Sequence, residues 1–322
     1  MKIRMFLAAA CAAAVGAGDA QTARPAEGRA VRVATCNVRV PIDETPNSWA
    51  ERKDALADLL LRMDIDIGGL QEAIPQQVAF FRRKMPGYAF FGEYRNADRV
   101  SGEASPVFFR TNRFELVRGG TFWLSETPDV PGRKGWDAMC PRVCTWAVLR
   151  EKATGALVCF ANTHTDHKGA KARENGMRLI LERMDGFAKG VPVVFTGDHN
   201  CGESSPPARL AAAKLANAIY VTQTPPKGPW RTYNGWRWLE NELCAAEAMK
   251  HPMDVRERGA FPPAADGTPA PPSGPRGDCI YVSRDIKVLG FETHGDTRPG
   301  TRLYPTDHYP VSATILLPRS GN

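Results

Sequence analysis

The stretch "VPVVFTGDHN", residues 191–200, decides the fold. Val191, Val193, Val194 and Phe195 are β-branched or aromatic and read as a buried strand. After Gly197 the strand delivers Asp198, His199 and Asn200, an acid, an imidazole and an amide in succession. Strand alternation puts Asp198 and Asn200 on one face and His199 on the other, so His199 is expected to be a packed, hydrogen-bonded core residue.

Outward from this stretch the same pattern recurs. "VRVATCNVRV" (31–40) reads as a strand that ends near Asn37, and "DIDIGGLQEA" (64–73) as one that ends at Glu72. "PVFFR", "FELVRGGTFWL", "CTWAVLR" and "ALVCFANTHT" read as strands, mostly joined by hairpins. Trp49, Leu56, Leu60 and Met63 share one helical face, as do Met177, Ile180, Met184 and Phe187, and a short helix is expected near 206–217. "DCIYVS" (278–283) and "YPVSATILL" (309–317) close the chain as strands. Six strand ends thus carry polar side chains, and loops at strand ends are where a rigid scaffold places catalytic groups. No repeat or persuasive linker divides the chain, so residues 31–322 are expected to form one domain with a proline-rich insertion near 240–276.

Composition bounds the rest. With 43% hydrophobic and 24% charged residues the chain has the makings of a sizeable core, which excludes disorder for most of it. Lys2 and Arg4 precede the apolar "MFLAAACAAAVGAG", and "GDA" follows the cleavage spacing of a secretory leader. Residues 1–20 are therefore expected to be a signal peptide, 21–30 a flexible start, and the mature protein secreted or periplasmic. No other segment approaches membrane-spanning length. Without Lys2, Arg4 and Asp19 the net charge is about +6, which suits an anionic substrate. Seven cysteines remain after Cys11. Cys36, Cys159 and Cys279 lie in apolar runs, whereas Cys140, Cys144, Cys201 and Cys244 are the disulfide candidates. No cysteine spacing resembles a zinc site.

"ATCNV", "GLQEA", "NTHTDH", "TGDHN", "DCIYVS" and "TDHYPV" occur in the order and roughly the spacing of the endonuclease/exonuclease/phosphatase superfamily, which the chain resembles from about Val31 to Leu317. "GTFWLSETP" (120–128) with "GWDA" (135–138) further resembles a bacterial branch of it. The fold this implies is an α/β four-layer sandwich, two mainly antiparallel sheets face to face and flanked by helices, as in deoxyribonuclease I. The resemblance implies a metal-dependent phosphoesterase using Mg²⁺, with Mn²⁺ or Ca²⁺ as alternatives, held by Glu72 with Asn37 and Asp307 nearby. It makes Asp198 the acid that orients or deprotonates water and Asn200 the amide that holds water or phosphate. His308 and His164 match phosphate-facing histidines, with Asp278 pairing His308 and fixing its tautomer. Glu103 aligns loosely with the acid that pairs the second histidine. Arg142 offers a guanidinium fork for phosphate, and Asn162 and Asp166 flank His164 on its strand.

Substrate has a first reading and an alternative. The first is a nuclease-like phosphodiesterase on nucleic acid, with salt-sensitive binding. The other is a phosphatase or phosphodiesterase for small or lipid-derived phosphoesters, in which "WRTYNGWRW" (230–238) lines a pocket or meets a membrane. A third class, a binding protein that kept the fold and lost the chemistry, would show substitution of the acids or histidines, yet Glu72, Asp198, Asp307 and His308 are all present. A monomer without stable membrane insertion is expected.

Overall fold

The computed structural model describes residues 30–238 and 276–318. The expected leader, nearly all of the flexible start and nearly all of the proline-rich insertion lie outside the described residues.

Two six-stranded sheets pack face to face, with strands numbered along the chain. One holds β1 (Val31–Asn37), β2 (Ile67–Gln71), β3 (Tyr88–Phe91), β4 (Val107–Arg110), β11 (Lys287–Thr293) and β12 (Val311–Leu316), in the order β11-β12-β1-β2-β4-β3. The other holds β5 (Phe114–Trp123), β6 (Val143–Glu151), β7 (Leu157–His164), β8 (Val193–Asp198), β9 (Ala216–Asn217) and β10 (Asp278–Val282), in the order β5-β6-β7-β8-β10-β9. Each has one parallel pair at its centre, β1 with β2 and β7 with β8, and antiparallel neighbours elsewhere. Helices α1 (Trp49–Arg62) and α2 (Pro75–Lys84) cover the first sheet, and α3 (Ala170–Phe187) and α4 (Pro206–Lys214) the second. No described helix is long and apolar enough to cross a membrane.

Three apolar layers hold these four together. Val33, Ile67, Phe160, Val194, Ile280 and Ala313 fill the space between the sheets. Phe195, Met177, Ile180 and Met184 pack beneath α3 and α4, and Leu56, Leu60, Phe81 and Phe108 beneath α1 and α2. Strand β8 reads as a continuous apolar run because both of its faces are covered. Val193 and Phe195 look toward the helices and Val194 toward the other sheet.

This topology gathers the polar strand ends. In the parallel pairs Asn37 lies opposite Gln71 and His164 opposite Asp198, so four strands finish at one edge. Antiparallel β10 starts there, with Asp278 opposite Asp198. The two sheets approach closely at Gly69, where a Cβ would stand 2.3 Å from the side chain of Asn162. That asparagine donates to the Leu70 and Pro106 carbonyls and accepts from Gln71 and Thr196, so it ties the sheets together and does not support His164.

Two expectations need correcting, and a third falls partly outside the described residues. Cys144 is buried in β6 and Cys140 lies in the loop before it, both as free thiols, so the pair is not a disulfide. Cys201 bonds no described cysteine, and Cys244 lies outside the described residues. His199 does face the helices, stacked on Phe195 at 5.1 Å and Tyr281 at 5.8 Å between ring centroids, yet neither ring nitrogen has a hydrogen-bond partner among the described residues.

Candidate active site

The gathered strand ends open into a cleft of about 780 Å³, lined by Glu72, Arg142, His164, Asp198, Asn200 and His308 among others. Asp198 sits at its centre. One carboxylate oxygen accepts from Asn37 Nδ2 at 3.0 Å and lies 3.5 Å from His164 Nε2 and 3.7 Å from His308 Nε2. The other oxygen accepts from the backbone N–H of Asn200 at 2.9 Å, which turns the chain at a left-handed residue, φ 47°. Asp198 and Asn200 therefore both reach the cleft while His199 does not.

The two histidines are held in opposite states. His308 Nδ1 donates to Asp278 Oδ2 at 2.8 Å, which leaves Nε2 toward Asp198. Burial alone would lower the imidazole's pKa, but the Asp278 and Asp198 carboxylates outweigh it and hold the ring's pKa well above the usual histidine value. His164 Nδ1 instead faces Arg142 Nη1 at 2.9 Å. A guanidinium only donates, so Nδ1 must accept and the ring hydrogen sits on Nε2. Burial, reinforced by Arg142, pushes the His164 pKa well below its usual value and keeps the ring neutral. The Asn200 amide lies 2.8 Å from His164 Nε2 and 3.0 Å from the Thr165 carbonyl, and the two contacts call for opposite ends of the amide: an oxygen toward the Nε2–H and an N–H toward the carbonyl.

Glu103 and Arg142 depart from their expected partners. Glu103 pairs with Arg95 at 2.7 Å and lies 3.8 Å from Arg142, so Arg142 and not Glu103 bonds His164. The fork expected to clamp phosphate is committed to His164 and, at 3.1 Å, to His167 Nδ1. Asp166 supports it from behind at 3.6 Å. Burial works against the Asp166 carboxylate, but backbone N–H donors from Gly169, Lys168 and Met139 bring its pKa down to about 2.

Glu72 follows β2 at φ 59°, with one oxygen bonded to Val40 N–H at 2.9 Å and the other to Asn37 Nδ2 at 3.0 Å. Asn37 thus braces Glu72 against Asp198 and presents N–H to both acids, not the oxygen of a metal ligand. Asp307 lies in the same cleft with Oδ1 buried and unpartnered, its other oxygen 3.6 Å from Arg39. Burial, with a contribution from Glu72, raises its pKa to about 6. Two hard-oxygen carboxylates, one with an orphaned oxygen, fit a divalent cation such as Mg²⁺. Cys140, Asp166 and His167 also place donor atoms near one another, but the Arg142 guanidinium beside two of them opposes a cation there.

Several supports carry no motif. Arg52 of α1, fully buried, donates to the Val38 carbonyl at 2.7 Å and to that of Arg39 at 2.6 Å, fixing the turn after Asn37. The "WRTYNGW" segment straps the far side. Asn234 and Gly235 donate to the Asp307 carbonyl, Thr232 Oγ1 accepts from Asp278 N–H, and the Thr232 carbonyl accepts from Tyr309 N–H. Trp230 packs into the core between the sheets, whereas Tyr233 reaches the cleft.

Known proteins share this fold. A Bacteroides thetaiotaomicron protein titled mannosyl-6-phosphatase is 29% identical, with TM-score 0.75, and the match covers 89% of this chain and 100% of that one. A second B. thetaiotaomicron structure, titled an endonuclease/exonuclease/phosphatase family protein, is 28% identical with TM-score 0.76, covering 91% of this chain and all of its own. D. rerio TDP2 complexed with single-stranded DNA product shares the fold at 15% identity and TM-score 0.63, over 89% of this chain and 99% of that one. No curated protein matches the sequence. The model of the Endonuclease/Exonuclease/phosphatase family matches residues 34–308, most of the chain and every strand end described above, and the chain belongs to that family.

Proposed function

We propose that the protein is an exported, Mg²⁺-dependent phosphoesterase that hydrolyses a small phosphoester by in-line attack of a water activated by Asp198. The observation that carries this reading is the Asp198 carboxylate, set between two histidine Nε2 atoms on the floor of a cleft. A phosphoester resists hydrolysis because its charge repels the nucleophile and its leaving oxygen is poor. Asp198 accepts the proton of the attacking water. His308, charged through Asp278, donates from Nε2 to a phosphoryl oxygen, and neutral His164 donates from its Nε2–H. Asn200 holds the same oxygens or the water. Glu72 and Asp307 would hold the cation, which supplies positive charge to the phosphoryl oxygens.

A small substrate is favoured over nucleic acid by the cleft's charge balance. Arg39, Arg95 and Arg142 line it, but so do Glu72, Glu103, Asp198 and Asp307, and each arginine is already ion-paired. A polyanion is gripped by unpaired cations along its backbone, and the described arginines that line this cleft are paired. The 29% identical relative's title, a phosphatase, supports the same choice. Export rests on the leader-like residues 1–20 and is checked by an N-terminus near Gln21 in native material.

The test is phosphate or nitrophenol release from p-nitrophenyl phosphate and its bis-ester, run beside plasmid nicking with EDTA or Mg²⁺. Hydrolysis of a small ester that EDTA abolishes and Mg²⁺ restores is expected. Rapid nicking with neither ester cleaved would favour the nuclease reading.

A further inference from the structure

Beyond His164 the cleft wall is polar and charge-paired. Arg95 lies 2.7 Å from Glu103, and Arg142 lies 3.8 Å from Glu103 and 3.6 Å from Asp166. Arg142 donates into His167 Nδ1, so the ring hydrogen of exposed His167 sits on Nε2, pointing away from that bond. The wall therefore offers guanidinium and imidazole donors beside a carboxylate acceptor, without spare charge for a second anion. The same cleft lining also holds an aromatic ring. Tyr233 is 53% exposed, with its ring 4.9 Å from that of His308, and its backbone is bridged to His308 while both neighbouring residues are bonded in the strap. This loop holds a half-exposed ring at the rim of the cleft.

A hydroxyl both donates and accepts, so a rim of hydroxyls is satisfied by adjacent donors and acceptors of this kind. The C–H face of a sugar ring is apolar and packs on an aromatic face. A short alcohol would use neither the paired wall nor the ring, and a nucleobase would use the ring but leave the paired wall unmatched. We propose that the ester's alcohol is a monosaccharide, with its hydroxyls read by Arg95, Glu103 and His167 and its ring packed on Tyr233. The proposal rests on the phosphoesterase reading. In the reaction the water oxygen bonds phosphorus, the ester P–O bond breaks, and a proton from water ends on the sugar oxygen, giving inorganic phosphate and the free sugar.

The experiment compares kcat/KM for a hexose 6-phosphate, ethyl phosphate and a nucleoside 5′-monophosphate, all esters of primary alcohols. The hexose ester is expected to be preferred over both by about tenfold or more. Tyr233→Ala and Arg95→Gln should shrink that ratio, chiefly through KM, whereas Tyr233→Phe should keep it. Equal turnover of ethyl phosphate, or preference for the nucleotide, would overturn the sugar subsite and leave the phosphoesterase reading standing. Hydrolysis of no ester would instead sink that reading. Calorimetric binding to Asp198→Asn probes the subsite without turnover: tighter binding of the hexose ester than of ethyl phosphate supports it, and equal affinity overturns it.

Discussion

Asp198 and His199 are adjacent in sequence and opposite in role, and their surroundings show why. Asp198 extends the face of β8 that looks across to the other sheet, whereas His199 is stacked between Phe195 and Tyr281. Burial lowers the His199 pKa to about 4 against a slight opposing pull from Asp198. Its folded pKa lies below its unfolded value of 6.5, so the stability it lends is present above pH 6.5 and is lost as the pH falls toward 4. His199→Phe removes that proton linkage. In thermal melts the variant should match or exceed wild type at pH 7.5, and its advantage should grow on acidification to roughly 3 kcal/mol at pH 4. A constant difference across that range would show that the ring is not buried neutral. At the same scale, Arg142→Gln frees His164 Nδ1 from a cation. The His164 ring should then titrate closer to ordinary histidine, read as a shifted imidazole resonance in NMR across pH 4–8, and an unchanged resonance would remove Arg142 as the group that sets the tautomer.

Among the elements, the close approach of the sheets depends on Gly69. Asn162 cannot yield to a new methyl, because its amide is bonded to two carbonyls, a glutamine and a threonine. Gly69→Ala should cost about 1–3 kcal/mol in urea unfolding, and a variant as stable as wild type would mean that the sheets can separate without penalty. The strands around this point were legible in the sequence because each is an apolar run ending in polar residues. Glu72, His164, Asp198, Asn200, Asp278 and His308, which the fold brings together, drew attention because they stand at those ends, and the roles expected of them came from the family resemblance. Helix α2 and strands β3 and β11 were not. In β11 a register shift between Val288 and Gly290 breaks the alternation that marks a strand. Arg52, Arg95 and His167 were also missed, because a helical arginine and two loop residues carry no periodic signal and acquire meaning only through partners distant in sequence, whereas Tyr233 lies in the 230–238 stretch expected to line a pocket. Glu103 and Arg142 were found, but the partners they take depend on Arg95 and His167, which the sequence does not place beside them.

For the whole molecule, the parallel pair at the centre of each sheet is what brings two strand ends from one layer against two from the other. Function then depends on whether the acids collected there hold a cation. Glu72→Gln keeps the bond from Val40 N–H but halves the carboxylate charge facing it beside Asp307, so Mg²⁺ should raise the melting temperature of the EDTA-treated wild type and not of this variant. Equal shifts would place the ion elsewhere. The most direct test of the account is phosphate release by EDTA-treated wild type and Asp198→Asn, each before and after addition of Mg²⁺, on the best small ester found. The account predicts that Mg²⁺ restores wild-type turnover and that Asp198→Asn, folded and melting normally, stays slower by at least about 10³-fold. Wild type fully active without metal, or Asp198→Asn turning over near the wild-type rate, would contradict it.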